Sequence, residues 1–355
     1  YPLKFFTMRK LLMLIATLLL SFVDVYAQDA KTIKREIREI TVTGSGYELG
    51  LQHGQQLKSE IAEIVSKWKS NTAENFGKDA ELVLDDFFEY ANFTESIRRW
   101  TRELYDEVRG IADGSGQPFR DIFILYLLDE FWVYDVSLQH HHCSGLGIPA
   151  TSSSPGYVAQ NMDLESYTDG YQVLMRIEGK EGEVEQLVLT HPGLIALNGM
   201  NSMGVGVCVN TLMQLNAANN GLPVAFIVRR IIGSTDQRDV LNFVQNIRHA
   251  SGQNYLIGIR GDIFDFEASA REVIRFDPGN LSGAITHTNH PLANKDIKPY
   301  FIEPESTQQE MTGGRNTNST SRYNAVNSRI SSQSNVTVEM IKDALRSKDD
   351  PDNPV

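Results

Sequence analysis

The stretch His140-His141-His142-Cys143-Ser144-Gly145-Leu146-Gly147-Ile148 divides the chain into two kinds of sequence. Upstream, from about residue 46 to residue 140, apolar residues recur at the three-and-four spacing that gathers them on one side of a helix. Leu49, His53, Leu57, Ile61, Ile64, Val65 and Trp68 form one series, Leu82, Leu84, Phe87, Phe88 and Tyr90 a second, and Ile97, Trp100, Leu104, Val108 and Ile111 a third. Asp113-Gly114-Ser115-Gly116-Gln117-Pro118 breaks the pattern, and a fourth apolar helix is expected over 122–136. Downstream, a β-like segment over 144–148 is followed by short alternating runs over 156–161, 172–177, 185–190, 204–210, 255–259, 263–267, 272–276 and 284–288. Two helices interrupt them at about 224–232 and 237–249, the first opened by Pro223 and the second by Ser234-Thr235-Asp236 as an N-cap. A polar loop over 303–321 precedes further helices over 322–330 and 336–345. Strand runs, two helices and more strand runs predict antiparallel sheets covered by helices rather than a βαβ repeat.

Composition narrows the function classes. With 355 residues, 41% hydrophobic and 22% charged, the chain has ample apolar material for a large core. Lys+Arg 33 against Asp+Glu 45 gives a net charge of −12, and no basic run interleaved with aromatics follows residue 10, which argues against a nucleic-acid partner. Residues 8–27 read MRKLLMLIATLLLSFVDVYA: two cations, an apolar run, then small residues at the positions a signal peptidase reads. The apolar run is short for a membrane span. A periplasmic or secreted protein beginning near Gln28 is expected, without a membrane partner once the signal is removed. Residues 1–7 then lie upstream of the true start at Met8, and the acidic end over 348–355 reads as a truncation.

Three clusters carry the chemistry: His140-His141-His142-Cys143, Gln160-Asn161-Met162-Asp163, and His287-Thr288-Asn289-His290. His and Cys are common zinc ligands, so a secreted zinc-binding protein using His287 and His290 is one reading. Adjacent histidines on an extended segment point to opposite faces, which limits it. A disulfide between Cys143 and Cys208, the two cysteines of the chain, is a second reading. The third makes Cys143 a nucleophile with a nearby base and an oxyanion donor. No Gly-x-Ser-x-Gly or phosphate-cradling loop is present, and Gly44-x-Gly46 precedes no βαβ unit, so no cofactor is expected.

The ordered set Gly44-x-Gly46-Tyr47-Glu48-Leu49-Gly50-x-x-His53-Gly54, Cys143, Gln160-Asn161-Met162-Asp163, Gly199-Met200-Asn201-Ser202-Met203-Gly204-Val205 and His287-Thr288-Asn289-His290 resembles the acyl-coenzyme A:6-aminopenicillanic acid acyltransferase family of cysteine N-terminal nucleophile hydrolases. The helix after Gly221-Leu222-Pro223 and the Ser319-x-x-Arg322 pattern fit the same family, and the resemblance runs from about Ile40 to about Leu345. It implies a four-layer αββα sandwich with an N-terminal helical segment. It also implies an inactive precursor that cuts itself at His142–Cys143, giving chains 28–142 and 143–355 that remain associated.

On this resemblance Cys143 is the nucleophile and its liberated α-amine the base. The reference pKa values, about 7.7–8.0 for the amine and about 8.5 for the thiol, make that proton transfer reasonable near neutral pH. Asp163 matches the aspartate that holds the amine and takes part in cleavage, and Asn289 the asparagine that donates to the oxyanion. Asn210 matches a position used similarly in the related choloylglycine hydrolases. Arg322 matches an arginine near the pocket, read as binding a substrate carboxylate, with Asn161 and Tyr157 as further substrate-pocket residues. The residue before the nucleophile is His142 where penicillin acyltransferases have Gly, and this predicts cleavage that is slower or absent. The implied activity is hydrolysis or acyl transfer at an amide or thioester of a small molecule, N-acyl amino acids, bile-acid-like conjugates and lactams all being open. A homologue that binds a ligand without turnover is the alternative.

Overall fold

The computed structural model describes residues 36–134, 142–179, 184–280, 282–301 and 317–355. The signal segment, His140 and His141 lie outside them. Strand β1 (Arg38–Thr43) opens the chain. Helices α1 (Tyr47–Gln56), α2 (Lys58–Phe76), α3 (Ala80–Tyr90), α4 (Thr94–Trp100), α5 (Arg102–Ser115), α6 (Phe119–Leu125) and α7 (Leu128–Tyr134) follow. Then come β2 (Cys143–Ile148), β3 (Tyr157–Met162), β4 (Val173–Glu178), β5 (Gln186–Thr190), β6 (Asn198–Asn201) and β7 (Val205–Thr211). Helices α8 (Val224–Ile232) and α9 (Gln237–Asn246) separate these from β8 (Gln253–Ile259), β9 (Asp262–Ala268), β10 (Val273–Arg275) and β11 (Ile285–His287). Helices α10 (Thr317–Ile330) and α11 (Val338–Ala344) end the order. Residues Arg38–Val355 form one compact unit of mixed α+β class.

The helical series of the sequence are cut more finely than their spacing suggests. The first breaks at Leu57, whose φ of −117° leaves the helical region between α1 and α2. The third breaks at Thr101, where φ is −148° and the side-chain hydroxyl donates to the Ile97 carbonyl that closes α4. The fourth becomes α6 and α7. In the second series the buried side is Val83, Leu84 and Phe87, whereas Leu82 is 62% exposed. Helix α10 begins at Thr317, inside the segment expected to be loop. Helices α1 and α5 pack backbone to backbone: a Cβ on Gly50 would lie 1.8 Å from the Glu107 carbonyl oxygen, and one on Gly110 would lie 2.2 Å from that of Tyr47. Gly54 and Gly114 repeat the contact one turn along, so the two helices meet on a stripe of glycine.

Two sheets follow from period-two alternation. The larger runs β1-β4-β5-β6-β7-β8-β9-β10 and the smaller β11-β2-β3. All pairs are antiparallel except β1 with β4, which are parallel, a departure from the expected all-antiparallel pairing. Strands β1 and β6 were not legible as strands. On β7, Val205, Val207 and Val209 join the core that contains Ile227, Val228 and Ile231 of α8, while Cys208 turns to the other side with Leu256 and Ile285. On β2, Gly145 and Gly147 approach Leu256 of the large sheet, and Leu146 and Ile148 pack with Val326, Ile330 and Ile341 of α10 and α11. Small residues on one side of β2 let the sheets close together; larger ones on the other hold the C-terminal helices. Asn201 ties the β6–β7 turn to α8: its amide donates to the Ile232 and Ser234 carbonyls, 2.7 Å each, and its oxygen accepts from the Met203 and Val205 amides.

Candidate active site

Cys143 is the first residue of β2, the middle strand of the small sheet, opposite Met162 of β3. Its backbone N–H donates to Asn289 Oδ1 at 2.7 Å. Its carbonyl accepts from Arg322 Nη1 at 2.6 Å. Arg322, 2% exposed, also donates to Ser144 Oγ (2.9 Å), Asn289 Oδ1 (3.0 Å) and Asn318 Oδ1 (2.8 Å). The backbone on both sides of the Cys143 Cα is therefore gripped by two buried side chains. The expected substrate-carboxylate role for Arg322 meets a guanidinium already engaged by four acceptors of the chain. Asn289 Nδ2 donates to the Thr211 carbonyl at 3.1 Å, and the Asn289 amide to Ser319 Oγ at 2.8 Å.

A narrow cavity of about 40 Å³ opens beside Cys143. Its walls are mostly apolar, among them Leu128, Trp132, Met162, Leu194, Val209 and Val228, with Asp129, Thr211 and Asp163 as polar members. Burial, reinforced by the Asp129 carboxylate and opposed by Arg322, pushes the Cys143 thiol up to about 12. The sulfur is thus a protonated thiol near neutral pH.

Asp163 sits at the other side of the peptide that joins His142 to Cys143. Its amide donates to the His142 carbonyl at 3.2 Å, and its Oδ2 lies 4.0 Å from His142 Nδ1. Thus His142, Cys143, Asp163, Asn289 and Arg322 are brought together. The remaining predicted residues are not. Asn210 is on the side of β7 that faces the small sheet, where its amide donates to the His287 carbonyl (2.8 Å) and its oxygen accepts from Gln160 (2.9 Å); Thr211, its neighbour, lines the cavity. Asn161 alternates away from Met162 and donates to the Leu345 carbonyl at 2.6 Å, and Tyr157 packs against the C-terminal helical core. Cys143 and Cys208 are both free thiols, so the disulfide reading does not hold. His287 has both ring nitrogens engaged, Nε2 with Glu267 and Nδ1 with the Thr288 carbonyl, each at 2.8 Å, and His290 Nδ1 meets Ser319 Oγ at 2.7 Å. That leaves no nitrogen of His287 for the zinc reading. His53 accepts from the Gly193 amide at 3.1 Å rather than within its own helix.

Sequence reasoning missed a carboxyl pair on α7. Asp129 Oδ1 accepts from the Thr211 hydroxyl and from Gln253 Nε2 at 3.0 Å. Glu130 Oε1 accepts from Ser251 Oγ (2.7 Å) and the Val224 amide (3.2 Å), while Oε2 is buried without a partner. Desolvation, with Asp129 beside it, raises Glu130 to about 8. Two adjacent acids inside the apolar run 122–136 were the available signal.

The sequence model of the family described as acyl-coenzyme A:6-aminopenicillanic acid acyl-transferase matches residues 151–353. That span takes in Asp163, Asn210, Asn289 and Arg322 and begins after Cys143. The acyl-coenzyme A:6-aminopenicillanic-acid-acyltransferase 40 kDa form of Emericella nidulans is 24% identical over 267 residues, covering 75% of this chain and 72% of that protein. Protein dcd1B of Dictyostelium discoideum is 26% identical over 220 residues (53% of this chain, 41% of that protein), and dcd1A of the same organism 24% over 248 residues (59% and 53%). The chain spans about half the length of these two Dictyostelium proteins.

Proposed function

Because the chain belongs to the acyl-coenzyme A:6-aminopenicillanic acid acyl-transferase family, we propose that it is an exported, self-processing cysteine amidohydrolase or acyltransferase with Cys143 as its N-terminal nucleophile. The observation that carries this reading is the grip of Asn289 and Arg322 on the two sides of Cys143, beside an apolar cavity. The order of cores, helices on the large sheet, sheet on sheet, then C-terminal helices, supports reading the fold as a four-layer αββα sandwich of the N-terminal nucleophile type.

In the first step Cys143 Sγ attacks the His142 carbonyl, Asp163 takes the thiol proton, and that proton passes to the Cys143 nitrogen as the C–N bond breaks. Water then hydrolyses the resulting thioester and releases the carboxylate of His142. The freed α-amine remains beside Asn289 Oδ1 and becomes the base for its own thiol. In turnover Cys143 Sγ attacks an amide or thioester whose acyl part fits the apolar cavity, and Asn289 Nδ2, held before cleavage on the Thr211 carbonyl, is the oxyanion donor. Hydrolysis is favoured over acyl transfer, since coenzyme A thioesters are scarce outside the cytoplasm. The acyl group is not fixed by the family.

Incubation with p-nitrophenyl phenylacetate followed by acid quench and peptide mapping tests this reading. The expected result is a phenylacetyl group on the chain that begins at Cys143, absent from Cys143→Ala. An acyl group on another residue, or none on wild type, contradicts it.

A further inference from the structure

Outside the reacting groups, Glu267 on β9 forms a second buried cluster. Its carboxylate is wholly buried and takes four donors: the amides of Leu292 (2.5 Å), Ala293 (2.9 Å) and Asn294 (2.6 Å), and His287 Nε2 (2.8 Å). Asn294 Nδ2 adds a bond to the Glu267 carbonyl at 3.1 Å. His287 ends β11, and Leu292–Asn294 follow it after one turn; the residues between are Thr288, Asn289, His290 and Pro291. One carboxylate therefore clamps both ends of the turn that carries Asn289. Three successive amides converging on an anion form a backbone nest, and here the anion is a side chain of the protein itself. Such a group holds its charge in spite of burial because every oxygen is compensated.

We propose that Glu267 is a positioning residue, fixing the Asn289 turn so that Asn289 meets the nitrogen of Cys143 and the oxyanion. The proposal rests on Cys143 being the nucleophile. Asn289 contributes through aimed dipoles, and aimed dipoles lose their effect when the segment that carries them moves. A carboxylate is needed, because an amide at the same place turns an N–H toward amides that also donate.

Glu267→Gln tests this with p-nitrophenyl phenylacetate as substrate and each preparation normalised to its reactive thiol by burst titration. Self-cleavage is expected to slow and kcat per titrated thiol to fall by about tenfold or more, with KM within about threefold. A purely structural role lowers the titrated fraction and leaves kcat per thiol at the wild-type value, and that result overturns the proposal. If Glu267→Gln does not fold, His287→Phe keeps a ring in place but has no N–H for Glu267, so it removes one arm of the clamp and leaves the three amide bonds. A smaller fall in kcat per thiol supports the proposal, and an unchanged kcat overturns it. Wild type that neither splits nor gives a burst overturns the nucleophile reading and this proposal with it, whereas active wild type with an unchanged variant removes only the role of Glu267.

Discussion

Glu130 is buried with one oxygen unpartnered beside a second carboxyl, and it holds its proton up to about pH 8 against an ordinary value of 4.5. Between those values the folded chain binds a proton that the unfolded chain has released. Stability therefore falls as pH rises through this window. Glu130→Gln keeps an oxygen for Ser251 and the Val224 amide and removes the titration. Thermal melts from pH 4.5 to 8 are expected to decline less steeply in the variant than in wild type; equal slopes would show that Glu130 titrates alike in both states. This residue illustrates what was hidden in the sequence. The partners of Asp129 and Glu130 are Thr211, Val224, Ser251 and Gln253, about 80–125 residues downstream, and helical spacing carries no information about them. Cys143, Asp163 and Asn289, which the fold brings together, stood out in the sequence because each belongs to a compact motif at a strand end. Asn161 and Asn210 face away from the cavity, which the sequence does not show, because the side of a strand on which a residue falls depends on register and a one-residue step moves it to the other sheet face.

At the scale of elements, the glycine stripe between α1 and α5 makes the sharpest demand. Gly110→Ala puts a methyl carbon 2.2 Å from the Tyr47 carbonyl oxygen, a contact that a side-chain rotation does not relieve. A loss of about 3 kcal/mol is expected in urea unfolding, at the upper part of the usual range for overpacking. Gly77→Ala is the control for helix-end glycine, since nothing lies within 4 Å of its added carbon; its φ of 60° makes it costly through backbone strain alone. A Gly110→Ala change that costs less than Gly77→Ala would mean that the helices can move apart freely. Element existence was largely readable, because burial imposes period 3.6 on the helices and period 2 on the strands. Helix breaks at Leu57 and Thr101 were not, since apolar spacing continues across them. Strand β1 escaped because its polar residues Arg38, Glu39, Thr41 and Thr43 mask the alternation of Ile40 and Val42, and β6 because four residues are too few for a pattern.

For the whole molecule, one long chain builds a site whose parts come from the strand that begins at Cys143, the β3 end, the β11 turn and helix α10. No helix among the described residues is long and apolar enough to cross a membrane. On the proposed reading of export followed by a cut at His142–Cys143, the precursor would hold a buried thiol in place and the cut would supply its base. Intact-mass analysis with N-terminal mapping of the purified protein and of Cys143→Ala tests this most directly. Wild type is expected to yield a chain beginning at Cys143 and a partner ending at His142, while Cys143→Ala stays uncut between them. A wild-type chain that remains uncut after prolonged incubation, or a Cys143→Ala protein that splits at the same bond, would contradict the account.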